Sequence, residues 1–234
     1  MKKGDLKRGQ ILDTAERLFF ERGYDRTSIQ DILDELRLSK GGFYHYFEAK
    51  ETVLREICER RWLKRFEGVR AELAARRGAV ERLNLLLNMA NLFEAEDVHF
   101  AALMLKVCWR DGDAAINAFR RRILVGQLTP LVDEAVREGI ESGVMHTRHP
   151  GSVGRLMVLL ACDVNDEACA MLAMEPDNPD RLIPIIEMLN ATRESVETLA
   201  GAPFGSMTLF DPARLVQCWQ AAAGELEALE EKTL

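Results

Sequence analysis

What the sequence lacks narrows it first. No proline occurs before residue 130, so the first 129 residues carry none of the rings that break a helix. The five cysteines (58, 108, 162, 169 and 218) are odd in number and form no CxxC pair. That excludes a disulfide framework and points to reduced thiols used as small core residues in a cytoplasmic protein. The longest run without Asp, Glu, Lys or Arg, residues 198–210, is short and broken by Gly and Pro, so no membrane span is expected. The opening MKKGDLKRGQ is charged and leads into no secretory apolar segment. Histidine is scarce, at four residues, and no Gly-rich phosphate loop is present. With neither a nucleophile–base pair nor a metal set in evidence, the chain is not expected to be an enzyme or to carry a cofactor.

Strand-like alternation is also missing, whereas helical spacing recurs. Ile11, Leu12, Ala15, Leu18 and Phe19 share one helix face, and Gly23 stands where a helix C-cap would. The chain reads as all-α. Helices are expected over about 6–22, 28–35, 40–46, 50–76, 79–95, 97–110, 114–142, 152–174 and 180–200. A last one opens at Asp211-Pro212, with Asp211 as N-cap and Pro212 in the first turn.

Residues 24–50, YDRTSIQDILDELRLSKGGFYHYFEAK, carry the most information. Thr27 with Gln30 predicts a capping box, and Ile29, Ile32, Leu33 and Leu36 give the following helix a short apolar face. Ser39 predicts a second N-cap before a very short helix with Phe43 and Phe47 one turn apart. Two short helices joined by a tight turn and braced by a longer one form a helix-turn-helix, whose second helix enters the DNA major groove. Lys40 in its first turn can reach base edges or phosphate. Gly41 and Gly42 each cost about 1 kcal/mol relative to Ala inside a helix, a cost that close approach to a bulky partner would offset. Tyr44, His45 and Lys50 can bond phosphate oxygens, and the helix starts at Thr27–Ser28 and at Ser39 present N–H groups to the same anions. The same residues could instead form a plain interhelical turn with the aromatics as core.

These residues resemble the TetR family of bacterial transcriptional regulators. The similarity runs from about Arg8 to Leu54, through ILDTAERLFFERGYDRTSIQDI and LSKGGFYHYFEAKETVL, and covers roughly a fifth of the chain. The resemblance implies a three-helix DNA-binding domain over residues 1–50, with the helix at about 50–76 as connector. A larger helical domain over 51–234 would bind ligand and dimerise. It places Lys40, Gly41 and Gly42 at base-facing positions, Tyr44, His45 and Lys50 at phosphate, and Thr27 at a cap-and-phosphate position. Phe43 and Phe47 fall at core positions. Two residues depart from the pattern. Arg37 stands where Gly or Asn is usual, which means a strained positive φ, a different turn or an added phosphate contact. Ala49 leaves the connecting helix weakly capped.

The expected partners are double-stranded operator DNA, a small-molecule effector and a second copy of the chain. The helices at 152–174 and 180–200 would form the dimer contact, and the action is expected to be repression. A helical small-molecule-binding or protein-interaction adaptor without DNA binding is the alternative. Phe100, Met104, Trp109, Phe119, Met157 and Asp163 are candidate ligand-pocket residues, although a Met/aromatic stripe is also ordinary core. Asp163, Asp166 and Glu167 would otherwise face solvent or pair with Arg155 or Arg193, and Arg120–Arg122 form a solvated face. His146 and His149 sit in a Pro/Gly loop that suits no metal. The formal net charge of -7 hides an asymmetry: residues 1–65 hold 15 basic and 12 acidic side chains, leaving 16 of 31 and 26 of 38 for the rest. A mildly basic reader is attached to an acidic body.

Overall fold

The computed structural model describes residues 3–91, 98–176 and 178–231, and among these every regular element is helical. α1 (Lys3–Arg22), α2 (Ile29–Leu36) and α3 (Lys40–Tyr44) make the amino-terminal unit, and α4 (Lys50–Ala75) leads out of it. The body contains α5 (Ala79–Asn88), α6 (Val98–Met104), α7 (Ala114–Glu141), α8 (Val153–Met174), α9 (Leu182–Ala200) and α10 (Pro212–Glu231). α5 ends earlier than its apolar run suggested; the remainder of that expectation, 92–95, lies outside the described residues.

The predicted face of α1 is buried: Ile11, Ala15, Leu18 and Phe19 are all 0% exposed. Gly23 ends the helix at φ 88°, its N–H donating to the Phe19 carbonyl at 3.0 Å, a geometry that disfavours any side chain. Phe43 and Phe47 pin α3 onto the same core. Long α4 serves both parts of the molecule. Its buried stripe runs from Val53 and Leu54 through Trp62 and Phe66 to Leu73, packing first against α1 and then against α5 and α7.

Ion pairs and ring contacts fix this junction. Arg60 and Arg61 of α4 both reach Glu16 of α1. The Arg61 guanidinium also lies 5.0 Å from the Phe20 ring of α1 and 4.9 Å from the Phe100 ring of α6. α6 does not continue as an α-helix to residue 110, as the spacing suggested. After Met104 the chain widens into a π-helical stretch, Leu105–Arg110, with the Asp111 N–H donating to the Lys106 carbonyl at 2.8 Å.

In the body, α7 packs along α8, and α8 along α9. The expected solvated face at Arg120–Arg122 is only partly so. Arg120 is 1% exposed, bonded to Asp166 and to Asn117 Oδ1, and its guanidinium lies over the Trp109 ring at 4.9 Å. Arg121 bonds Asp163 and Asp166, so these two acids of α8 pair with α7 and not with Arg155 or Arg193, while Glu167 is exposed. These partners offset the lost hydration of a buried guanidinium through Nε and Nη2, while Nη1 has no hydrogen bond.

Residues 201–211 form a strap from α9 to α10. The Glu197 carboxylate, 2% exposed, accepts the N–H groups of Gly205 (3.0 Å) and Met207 (2.8 Å) and pairs with Arg193. On the other side the Thr208 N–H donates to Asn84 Oδ1 at 2.9 Å. Beyond the strap, Asp211 caps α10 as expected, accepting from Ala213 N–H at 2.9 Å. α10 lies on α6, burying Leu215, Trp219, Ala222 and Leu226.

Candidate nucleic-acid interface

The start of α2 differs by one residue from the expected capping box. Ser28, not Thr27, is the N-cap: its hydroxyl accepts from Asp31 N–H at 3.1 Å, and Asp31 Oδ2 accepts from Ser28 N–H at 2.8 Å. The Ser28 side-chain and backbone bonds hold the Asp31 carboxyl below its usual range. Thr27 is fully buried, and its hydroxyl donates to the carbonyls of Gly23 (2.8 Å) and Leu18 (3.2 Å). It therefore anchors the turn from inside and has no surface to offer a phosphate.

A tight connection follows α2. Arg37 adopts φ 48°, ψ 46°, and its N–H and that of Leu38 bond back to the carbonyls of Asp34 and Leu33. The positive φ foreseen for this position is real and is carried by a side chain with Cβ. Ser39 then caps α3 through Gly42 N–H at 3.2 Å, as expected.

α3 is anchored on one side and open on the other. Phe43 is 0% exposed, while Lys40, Gly41, Tyr44 and His45 are exposed and Gly42 half-exposed. No atom lies within 4 Å of the place a Cβ would take on Gly41, so the protein's own packing does not require glycine there. Arg37 and Lys40 are exposed and form no ion pair with any described residue; the same holds for Arg26. Arg8, Arg17 and Arg22, farther along α1, are tied to carboxylates. Arg37 and Lys40 thus bracket the α2–α3 turn with unpaired charge, and Arg26 precedes α2. Arg26 was not singled out from sequence; its signal is an unpaired cation just before the Ser28 cap.

Lys50 departs from the expected phosphate role. Its Nζ donates to the Tyr24 carbonyl at 2.8 Å and lies 4.1 Å from the Tyr24 ring centroid, and burial pushes its pKa down. It ties the start of α4 to the α1–α2 turn. Ala49 gives α4 no side-chain cap, as its residue type implies.

The candidate ligand residues do not converge. Met104 and Met157 are 0% exposed core and Phe100 packs against Trp62, as a Met/aromatic stripe commonly does. Trp109 is covered by Arg120, Phe119 lies beneath Arg55 and Arg122, and Asp163 faces outward to Arg121. A small, partly open cavity lies elsewhere, among α5, α8, α9 and the strap, and none of the six lines it. Cys162 and Cys169 are free and buried; burial pushes Cys162 up to about 11 and Cys169 well above its ordinary value, so neither is a ready thiolate. Among the described residues no group of three or more His, Cys, Asp or Glu side chains could hold a metal ion.

Residues 11–57, the stretch that builds this helix-turn-helix, match the family described as bacterial regulatory proteins, tetR family. The amino-terminal unit of the chain carries that family's helix-turn-helix. An uncharacterized HTH-type transcriptional regulator of Bacillus subtilis, YuxN, is 50% identical over 44 residues, 19% of this chain and 15% of that protein. The HTH-type transcriptional repressor KstR2 of Rhodococcus jostii is 33% identical over 138 residues, 59% of this chain and 65% of the repressor. The chain thus spans less than two thirds of the length of either relative. A TetR-family transcriptional regulator from Pectobacterium atrosepticum shares the fold at a TM-score of 0.59 and 22% identity, over 87% of this chain and 100% of that one. No helix among the described residues is long and apolar enough to cross a membrane.

Proposed function

We propose that the protein is a homodimeric, sequence-selective DNA-binding transcriptional regulator, acting as a repressor that a small-molecule effector releases. Residues 1–50 read the operator, α4 connects, and residues 51–234 bind effector and dimerise. The observation that carries the reading is α3: a helix pinned by Phe43 and Phe47 that presents Lys40, Gly41, Tyr44 and His45 together on its exposed side. Ser28, Arg37, Ser39 and Arg26 flank it with N–H groups and unpaired charge for phosphate. The match to that family's helix-turn-helix and the repressor KstR2 among its relatives support the same reading.

Dimerisation is supported by apolar side chains left in water on α8 and α9. Leu156 is 48% exposed, Met174 67% and Ile183 63%. A two-fold contact through these helices would suit a palindromic operator with half-sites about one DNA turn apart.

Selection of bound sequences from a random DNA pool with the full-length chain tests the reading. The expected result is an enriched palindrome whose half-sites are spaced by one helical turn. Recovery of no preferred sequence, or of a single unrepeated half-site by a monomer, sinks it and leaves the adaptor alternative.

A further inference from the structure

The three consecutive arginines of α7 do not behave alike. Arg120 and Arg121 are bonded to Asp166 and Asp163 of α8. Arg122 lies instead over the Phe119 ring, its Cζ 5.2 Å from the ring centroid. Arg55 of α4, a helix that packs against α7, comes to the same ring at 5.6 Å. Both arginines are exposed, and neither forms an ion pair or a hydrogen bond with any described residue.

Two like charges gathered at one ring repel each other, and the half-buried Phe119 offsets that repulsion only in part. Ordinary partners are at hand for Arg55. Glu51 and Glu59 stand one turn to either side of it in α4, both exposed, yet neither pairs with it. The ring therefore holds two guanidinium forks whose N–H donors are all unspent within the protein. Their central carbons stand within about 11 Å of each other. One oxyanion held by both forks at ordinary donor–acceptor distances needs those carbons about 8 Å apart, which long side chains reach by a change of rotamer. A carboxylate offers one charge and two oxygens, which a single fork satisfies. A phosphate offers a charge of about −1.5 to −2 and at least three oxygens, which suits two forks.

We propose that Arg55, Phe119 and Arg122 form a binding site for a phosphate group, separate from the exposed side of α3. Phe119 holds the two forks in place and the anion bridges them. Because Arg55 belongs to α4 and Arg122 to α7, the bound anion ties the helix that leaves the reader to the body. The site stands on its own geometry and does not depend on the DNA-binding or effector readings above.

The test is titration calorimetry of the full-length chain without DNA, at neutral pH and an ionic strength fixed with sodium chloride. The probes are inorganic phosphate, methyl phosphate and acetate. The expected result is saturable binding of one phosphate per chain, with acetate at least about tenfold weaker. Methyl phosphate separates the sources. Binding as tight as that of phosphate leaves room for an ester group, and a tenfold loss confines the site to the free ion. Arg55→Gln and Arg122→Gln, both at exposed positions, should each weaken phosphate binding by about tenfold, and Arg122→Lys should weaken it too because a point charge does not replace the fork. Phe119→Leu keeps both charges and should still weaken it by about threefold; if that variant fails to fold, the arginine variants carry the test. The proposal is overturned if phosphate shows no saturable binding up to about 20 mM, if acetate binds equally well, or if the Arg55→Gln/Arg122→Gln double variant binds like the wild type. It is equally overturned if the double variant loses affinity for DNA in phosphate-free buffer, which would assign the two arginines to the DNA backbone. A chain that selects a palindrome but ignores phosphate keeps its regulatory reading and loses only this site.

Discussion

The Lys106 Nζ of the body lies 2.7 Å from Oδ2 of Asp25, in the turn that leads into the helix-turn-helix. The same ammonium lies 2.8 Å from Asp111 Oδ2, and the lysine is 6% exposed. Burial opposes its charge, but the bonds to Asp111 and Asp25 outweigh that and raise its pKa. A lysine raised in this way contributes stability that is complete below its unfolded-state pKa and is lost only as pH rises through the folded value. The link is therefore charged at neutral pH. Lys106→Met should lower the unfolding free energy by about 1–2 kcal/mol, less than for a fully buried pair because both carboxylates stay partly hydrated. Hydrogen exchange should accelerate at residues 24–26; unchanged protection there would show that the link does not hold the turn.

Gly41 tests whether the exposed side of α3 is shaped for a partner. Its would-be Cβ meets nothing, so Gly41→Ala should raise stability by about 1 kcal/mol in thermal melts. Operator affinity should nonetheless fall by about tenfold, the scale of one lost base contact. A variant that gains stability and keeps full affinity would remove Gly41 from the interface.

Arg37 offers a second opposed pair of readouts. Its left-handed backbone makes Arg37→Gly stabilising by about 0.5–1 kcal/mol, since glycine meets no Cβ penalty there. If the guanidinium touches phosphate, the slope of log affinity against log salt should become shallower by about one. An unchanged slope assigns Arg37 to the turn alone.

Glu197 makes the strap pH-sensitive. Burial works against its charge, but the Met207 and Gly205 N–H groups and Arg193 hold the carboxyl below its usual range. A depressed carboxylate contributes stability that is present above the unfolded pKa and is lost as pH falls through the lowered folded value. Protection of the Gly205 and Met207 amides should therefore persist at neutral pH and fall only on acidification past the ordinary glutamate range. Glu197→Gln should abolish this pH dependence and cost about 1–3 kcal/mol at pH 7. Equal protection of the wild type at both ends of the range would contradict it.

The helical class, most helix boundaries, the Ser39 and Asp211 caps and the Phe43/Phe47 anchor were legible from sequence because they depend on local spacing and side-chain type. What was not legible depends on distant partners. Thr27 and Ser28 are both competent caps, and the choice between them is made by the carbonyls of Leu18 and Gly23, which bury Thr27. Lys50 reads as a surface cation until the Tyr24 carbonyl and ring are placed beside it. The Arg120–Arg122 run looks solvated until α8 brings Asp166 to Arg120. The cavity was missed for a similar reason. Its lining residues are widely separated in the chain and only helix packing brings them together.

The π-helical stretch at Leu105–Arg110 has a mechanical consequence. A π turn holds more residues than an α turn, so reversion to α geometry would turn everything beyond it by about 100° for each residue released. Lys106 and Trp109 both lie in that stretch, one bonded to Asp25 and the other under Arg120. They cannot keep both contacts through such a rotation. The segment is engaged on the reader through one side chain and on the α7–α8 pair through the other, so its helical phase sets both contacts at once.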